Sequence, residues 1–266
     1  MKAQEEMRGM RSMHKVLSQA GRAGYVRTPE QCVSILNDIL PHCGEFSHSR
    51  KMCQAIGVWL LRGGTEILTP VCPDYSHQDG KYDFHTLNGG VPLLGELHIR
   101  FLRGVVQHIP GASVTFVVAD HEADDPLLCR VVRKSREEFI ELVHRSVVEL
   151  QKVVELHGWR AEVMTKVIPT LVEEEARSAR WIENDPSLRG RINSETAQRS
   201  EMYWRIDRSM RHSEMTTRTI RTAAQYVALG IHARKNGLLV CNHTTTNLSW
   251  YPYAEAAVLH NPIEVY

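Results

Sequence analysis

Two apolar runs of strand length, Glu66–Cys72 and Ser113–Ala119, stand on either side of a helical pattern, and no other feature constrains the fold as much. Val114, Phe116, Val117 and Val118 make the second run almost continuously apolar, as a strand covered on both faces must be. Between the runs, Pro92 opens a segment in which Leu94, Leu97, Phe101 and Val105 share a helical face until Pro110-Gly111. A helix between two apolar strands is the βαβ unit of a parallel sheet, so the expected class is α/β.

Local signals extend this reading in both directions. Thr28-Pro29-Glu30-Gln31 is a helix start, with Thr28 as N-cap, proline at the first helical position and Gln31 placed to bond back; Val33, Leu36 and Leu40 form its apolar face. A second helix, about Arg50 to Arg62, stops at Gly63-Gly64. Ser135-Arg136-Glu137-Glu138 is a capping box, and Phe139, Val143, Val147, Leu150 and Val154 recur at helical spacing until His157-Gly158. Arg160–Ile168 is expected as a third strand and Gly237–Cys241 as the last. From Thr170 to Lys235 the chain is helical and heavily charged, interrupted at Asn184-Asp185-Pro186. With no internal repeat and no Gly/Ser linker, the expected partition is a single α/β domain over 1–266 with a helical insertion at about 169–236.

Composition narrows the function classes. The 266 residues are 42% hydrophobic, enough for a real core. Thirty-two Lys and Arg stand against 31 Asp and Glu, for a net charge of +1, so a generally basic nucleic-acid binder is excluded and a polyanionic partner would need a local patch. DNA is not expected as a partner. The longest apolar runs, such as Ile56–Leu61 and Val114–Ala119, fall well short of the roughly 20 residues a spanning helix needs, and the polar Met1–Arg11 start is no signal peptide. No membrane association and a cytoplasmic location are expected. The six cysteines form no C-x-x-C pair and the fourteen histidines no H-E-x-x-H, so neither a metal nor a cofactor is expected. Gly90–Gly95 has the glycine spacing of a phosphate-binding loop, but Glu96 and Leu97 occupy the positions of its Lys and Ser or Thr.

In open parallel sheets ligands bind beyond the carboxyl ends of the strands. The segments there are Cys72-Pro73-Asp74-Tyr75-Ser76, Asp120–Asp125 and Asn242–Thr246, all polar. Cys72 reads either as a nucleophile or as a small core filler, and His243 either as its general base or as a hydrogen-bonded structural histidine. Asp120, Glu122, Asp124 and Asp125 are suited to a cationic amine or Mg²⁺, or form an acidic surface turn; Asp120 leads, since it follows the most apolar strand. Arg130, Arg133, Lys134 and Arg136 flank a helix start whose dipole prefers negative neighbours. They read as a site for RNA phosphate or as a solvated face.

These residues carry two family resemblances. Pro70-Val71-Cys72-Pro73, Gly90-Val91-Pro92-Leu93-Leu94-Gly95-Glu96, Pro110-Gly111-Ala112 and Ala119-Asp120 resemble, over about 60–125, three ordered segments of the isonitrile synthases, although that family's lysine has no counterpart near Cys72 and His121 replaces its glycine. Over about 66–250 the chain is similar to tRNA-dependent cyclodipeptide synthases, in particular the arginine-dependent fungal branch. Cys72 stands at that family's serine nucleophile, Arg130–Arg136 lead into a long helix like its tRNA-binding helix, Tyr226 matches its helical tyrosine, and Leu239-Val240-Cys241-Asn242-His243 resembles its closing strand. Gly230 stands where the family has Glu.

Both resemblances imply a Rossmann-like parallel sheet, here with a charged helical C-terminal half. The second ranks first and implies aminoacyl transfer: Cys72 accepts an aminoacyl group from aminoacyl-tRNA, Asp120, Tyr226 and His243 complete the catalytic set, and Tyr75, Glu96, Glu122, Asp124 and Asp125 hold the amino-acid substrate, whose guanidinium the acidic cluster would suit. Arg130, Arg133, Lys134 and Arg136 would bind the RNA. The alternatives are an isonitrile-synthase-like enzyme acting on a free amino acid and a non-catalytic helical interaction module over Glu173–Lys235.

Overall fold

The computed structural model describes residues 27–39, 56–71 and 96–239. Helix α1 (Pro29–Ile39) begins as its sequence directs: the Thr28 N–H donates to Gln31 Oε1 at 2.8 Å and the Gln31 N–H to Thr28 Oγ1 at 3.3 Å. Residues 56–61 are helical and end at Gly63, whose φ of 72° is the left-handed conformation that glycine adopts without a Cβ clash. There follow β1 (Glu66–Val71), α2 (Glu96–Gln107), β2 (Ser113–Val118), a 3₁₀ turn (His121–Asp124), α3 (Pro126–Val132) and α4 (Arg136–Val154). The rest comprises β3 (Arg160–Val163), α5 (Met164–Val167), α6 (Leu171–Asn184), α7 (Pro186–Ile206), α8 (His212–Asn236) and β4 (Gly237–Leu239).

The four strands form one parallel sheet in the order β3-β2-β1-β4. Alternation along each strand distributes its side chains to two cores. Ile67 and Val71 of β1 and Val114, Phe116 and Val118 of β2 face Leu36, Leu60, Leu102, Val105, Phe139 and Val143 from α1, residues 56–61, α2 and α4. Leu68, Val117 and Ala119 face the other way, against Met164, Leu171, Ile182, Ala223 and Val227 from α5, α6 and α8. The result is a three-layer α/β/α arrangement of Rossmann-like type, and helices on both faces explain why the strands are apolar throughout rather than alternating. Pro70 is buried in β1 although proline donates nothing to a ladder. Among the described residues β4 pairs with β1 only over Glu66–Leu68, so Pro70 has β2 as its partner strand.

The capping box at α4 forms, with the Glu138 N–H donating to Ser135 Oγ and the Ser135 N–H to Glu138 Oε2. The expected third strand is shorter than Arg160–Ile168: it stops at Val163, and Met164–Val167 is one helical turn. The physical reason is Asp120, whose carboxylate accepts from both the backbone N–H and the hydroxyl of Thr165 and so draws the chain off the sheet. The helical C-terminal half has the expected break, where the Asp185 carboxylate caps Ser187 and Leu188 ahead of Pro186 at the first helical position. A second break, between α7 and α8, departs from the expectation of continuous helix; there Asp207 Oδ1 accepts from the Ser209 N–H and Oγ–H, an Asx turn in place of further helix. Among the described residues no helix is long and apolar enough to cross a membrane.

Candidate functional site

Strand order locates the mouth of the sheet. The connection from β1 runs to β2 on one side, whereas β4 joins β1 on the other, so the two crossovers part at β1. Such a switch point opens a crevice beyond the strands' carboxyl ends. Cys72 is the residue directly after Val71, and His243 comes four residues after Leu239. Cys72, Tyr75 and His243 lie outside the described residues. Glu96 is the first residue of α2.

Beyond β2, on its β3 side, lies a cavity of about 220 Å³ lined by Asp120, His121, Asp124, Arg136, His144 and Thr165, with Ile140 and Val143 as its apolar wall. Asp120 is held by Thr165, whose N–H lies 3.0 Å from Oδ1. His121 Nδ1 is 3.1 Å from Asp124 Oδ2, and its Nε2 stands between Arg221 Nη2 at 3.1 Å and Glu175 Oε2 at 3.2 Å. Gln225 donates to Glu175 from α8 at 3.2 Å. Burial acts to raise the Asp124 carboxyl, but the hydrogen bond and charge of Arg136, 2.5 Å away, outweigh it and hold the group below its ordinary value. Asp120, Asp124 and His121 therefore present a polar wall rich in oxygen acceptors, which can receive an ammonium or hydroxyl donor of a small ligand.

The rest of the acidic run is committed elsewhere. Asp125 is buried; its Oδ1 accepts from the Leu127 and Leu128 N–H groups as the N-cap of α3, and its Oδ2 is 2.5 Å from Arg218 Nη1. Glu122, also buried, lies 3.7 Å from the same guanidinium, and Arg218 Nε donates to the Tyr203 hydroxyl at 3.2 Å. Desolvation alone would favour the neutral form of Arg218, yet Tyr203, Glu122 and Asp125 hold it firmly charged. Glu122 and Asp125 thus anchor α8 to the turn after β2, whereas Asp120 and Asp124 reach the cavity.

The basic quartet divides in the same way. The anions that its position calls for are supplied within the chain: Arg130 pairs with Asp207 at 3.2 Å and Glu214 at 2.8 Å, and Arg136 with Asp124. Arg133 and Lys134 are exposed, Arg133 in the left-handed conformation (φ 56°) that ends α3. Tyr226 is 2% exposed and packs in the second core with Leu68 and Val117; Gly230 is buried on the same helix.

Sequence reasoning overlooked Arg218, Arg221, Glu175, His144 and Thr165. One signal was present: Arg218, Arg221 and Gln225 recur at steps of three and four along α8, and a polar stripe on an otherwise apolar helix marks a buried network. Among the described residues no group of His, Cys, Asp and Glu is placed to hold a metal ion.

The two described thiols are inert by construction. Cys32 is fully buried and burial pushes its thiol up to about 11; burial, then Asp125 and Asp124, raise Cys129, whose Sγ–H donates to the Ala123 carbonyl at 3.4 Å. Since the thiolate is the reactive form, brief iodoacetamide treatment of the folded protein at neutral pH should leave both unlabelled and label them after denaturation. Peptide mapping by mass spectrometry checks this, and native labelling would refute the burial of Cys32 or the raised thiol of the half-buried Cys129.

Comparison with protein-family models, with curated proteins and with solved structures finds no match to this chain, so the reading of the site rests on its own residues and their geometry.

Proposed function

We propose that the protein is a cytoplasmic aminoacyltransferase that forms a cyclic dipeptide from two aminoacyl-tRNAs, one of them arginyl in the arginine-dependent version of the reaction. The observation that carries this reading is the switch point, flanked by the two strands after which Cys72 and His243 follow. The Cys72 thiolate attacks the carbonyl carbon of an aminoacyl ester; the C–S bond forms, the C–O bond breaks, and the tRNA hydroxyl leaves with a proton delivered by His243. The α-amine of a second aminoacyl-tRNA then attacks the thioester, giving an amide and restoring the thiol. Finally the first residue's amine attacks the remaining ester, closing the ring and releasing the second tRNA. Asp120, whose carboxylate is oriented by Thr165, receives the ammonium of the substrate, and Asp124 adds negative charge beside it.

Purified protein supplied with charged tRNA should release a cyclic dipeptide detectable by mass spectrometry, and free amino acids without tRNA should give none. Product from free amino acids alone would overturn the proposal. The second reading, an isonitrile-synthase-like reaction on a free amino acid, is favoured by the pairing of Arg130 and Arg136 within the chain, which lowers the charge left for RNA. An isonitrile stretch in the infrared spectrum of the product would decide for it.

A further inference from the structure

We propose that the corner where α3 meets the α7–α8 turn is a binding surface for single-stranded RNA, with Trp204 as a stacking platform for a base and Arg208, Arg211, Arg133 and Lys134 as its phosphate-binding groups. This rests on the tRNA-dependent reading above and names a part of the RNA surface that the basic quartet alone does not supply. The corner is rigidly joined: Leu127 and Val131 of α3 pack with Tyr203 of α7 and Met215 of α8, and Arg130 ties the same elements by bonding both Asp207 and Glu214. Arg130 thereby offsets the charge of Asp207 and Glu214, while Arg208 and Arg211 at the α7–α8 turn and Arg133 and Lys134 at the end of α3 are exposed, with no ion pair among the described residues.

Adjacent residues of α7 divide the work. Tyr203 is buried against α3 and α8, and Trp204, next in sequence, is 47% exposed with the Arg208 guanidinium 3.7 Å from its ring centre. An exposed indole carrying a stacked cation, with further arginines nearby, combines the two requirements for holding an unpaired strand: a π-surface for a base and positive charge for its backbone. An acidic peptide would use the arginines but gain nothing specific from the indole, and an RNA duplex keeps its bases stacked on one another. Single-stranded RNA is therefore the occupant that uses every group present.

Fluorescence anisotropy with a labelled single strand of about a dozen nucleotides tests this on the full chain. Trp204→Ala should weaken binding about tenfold without changing the salt slope, the size of one missing base–aromatic stack. Arg208→Gln with Arg211→Gln should weaken binding and flatten the slope by roughly 0.7 for each phosphate no longer neutralised. The control pair Arg189→Gln and Arg191→Gln, exposed on α7 about 20 Å away along the helix, should leave affinity within about twofold. All the substituted side chains are exposed, and unchanged thermal unfolding would show that the fold survives. Absence of RNA binding, unaltered affinity of Trp204→Ala, an equal loss in the control pair, or equal competition by polyglutamate would each overturn the surface. Failure of the enzyme reading shows separately, as product formed without tRNA.

Discussion

Arg218→Ala should cost about 3–5 kcal/mol of folding stability, seen as a lower urea midpoint with little change in slope. The guanidinium is buried at the junction of α8, α7 and the turn after β2, 2.5 Å from Asp125, 3.7 Å from Glu122 and 3.2 Å from the Tyr203 hydroxyl. Truncation leaves two buried carboxylates with their principal cation gone, and stranding a buried charge is far more costly than the net worth of the pair it belonged to. Asp125→Asn should cost somewhat less, about 2–3 kcal/mol: the amide oxygen still caps the Leu127 and Leu128 N–H groups and Glu122 keeps a carboxylate beside the guanidinium, but the amide nitrogen then faces Arg218 Nη1 donor to donor. Arg218→Lys should fall between the two, keeping the charge but losing the fork that reaches the carboxylates and the hydroxyl together. An Arg218→Ala variant within about 1 kcal/mol of the wild type would show that solvent reaches the cluster and that α8 is not anchored there.

That cluster also shows what was legible in the sequence. The caps at Thr28 and Ser135, the glycine stop at Gly63 and the βαβ unit built on Glu66–Val71 and Ser113–Val118 depend on neighbours within a few residues, and local rules state them well. Strand order does not follow from such rules: the described residues of β4, Gly237–Leu239, pair beside β1 after the whole helical segment, a placement decided by packing between distant elements. The same distance accounts for the charges. Arg130 looks unpaired when read along the chain because its partners lie 77 and 84 residues on, and Asp125 looks available because Arg218 is 93 residues on. Trp204 stands far beyond the basic quartet in sequence, and α7, which carries it, meets α3 through the packing of Tyr203 with Leu127 and Val131. Local separation of acidic and basic runs in a chain of balanced charge thus resolves, for the most part, into internal ion pairs, and the groups left over are the candidates for function.

Cys72→Ala should reduce cyclic-dipeptide formation by at least about 10³-fold, the scale expected when an enzyme loses its nucleophile and keeps only its binding groups. The alternative is a cysteine that merely fills the core after β1, a strand buried along all but its first residue; in that case alanine removes one sulfur, lowers stability by roughly 1 kcal/mol and leaves turnover nearly intact. The two outcomes differ by orders of magnitude in rate and in opposite proportion in stability, so measuring both on one variant separates them. Cys72→Ser sharpens the comparison, because a hydroxyl can still be acylated if a base takes its proton, whereas it packs almost as the thiol does. Partial activity in the serine variant together with its loss in alanine indicates nucleophilic chemistry. A covalent aminoacyl adduct seen by intact mass, present in wild type and Cys72→Ser but missing from Cys72→Ala, would fix the position of attack. Cys32, whose thiol burial holds at about 11, supplies the internal control: its substitution by alanine should leave turnover per folded molecule unchanged. If Cys72→Ala retains activity within about twofold, the acyl carrier lies elsewhere and the covalent mechanism at the end of β1 is refuted.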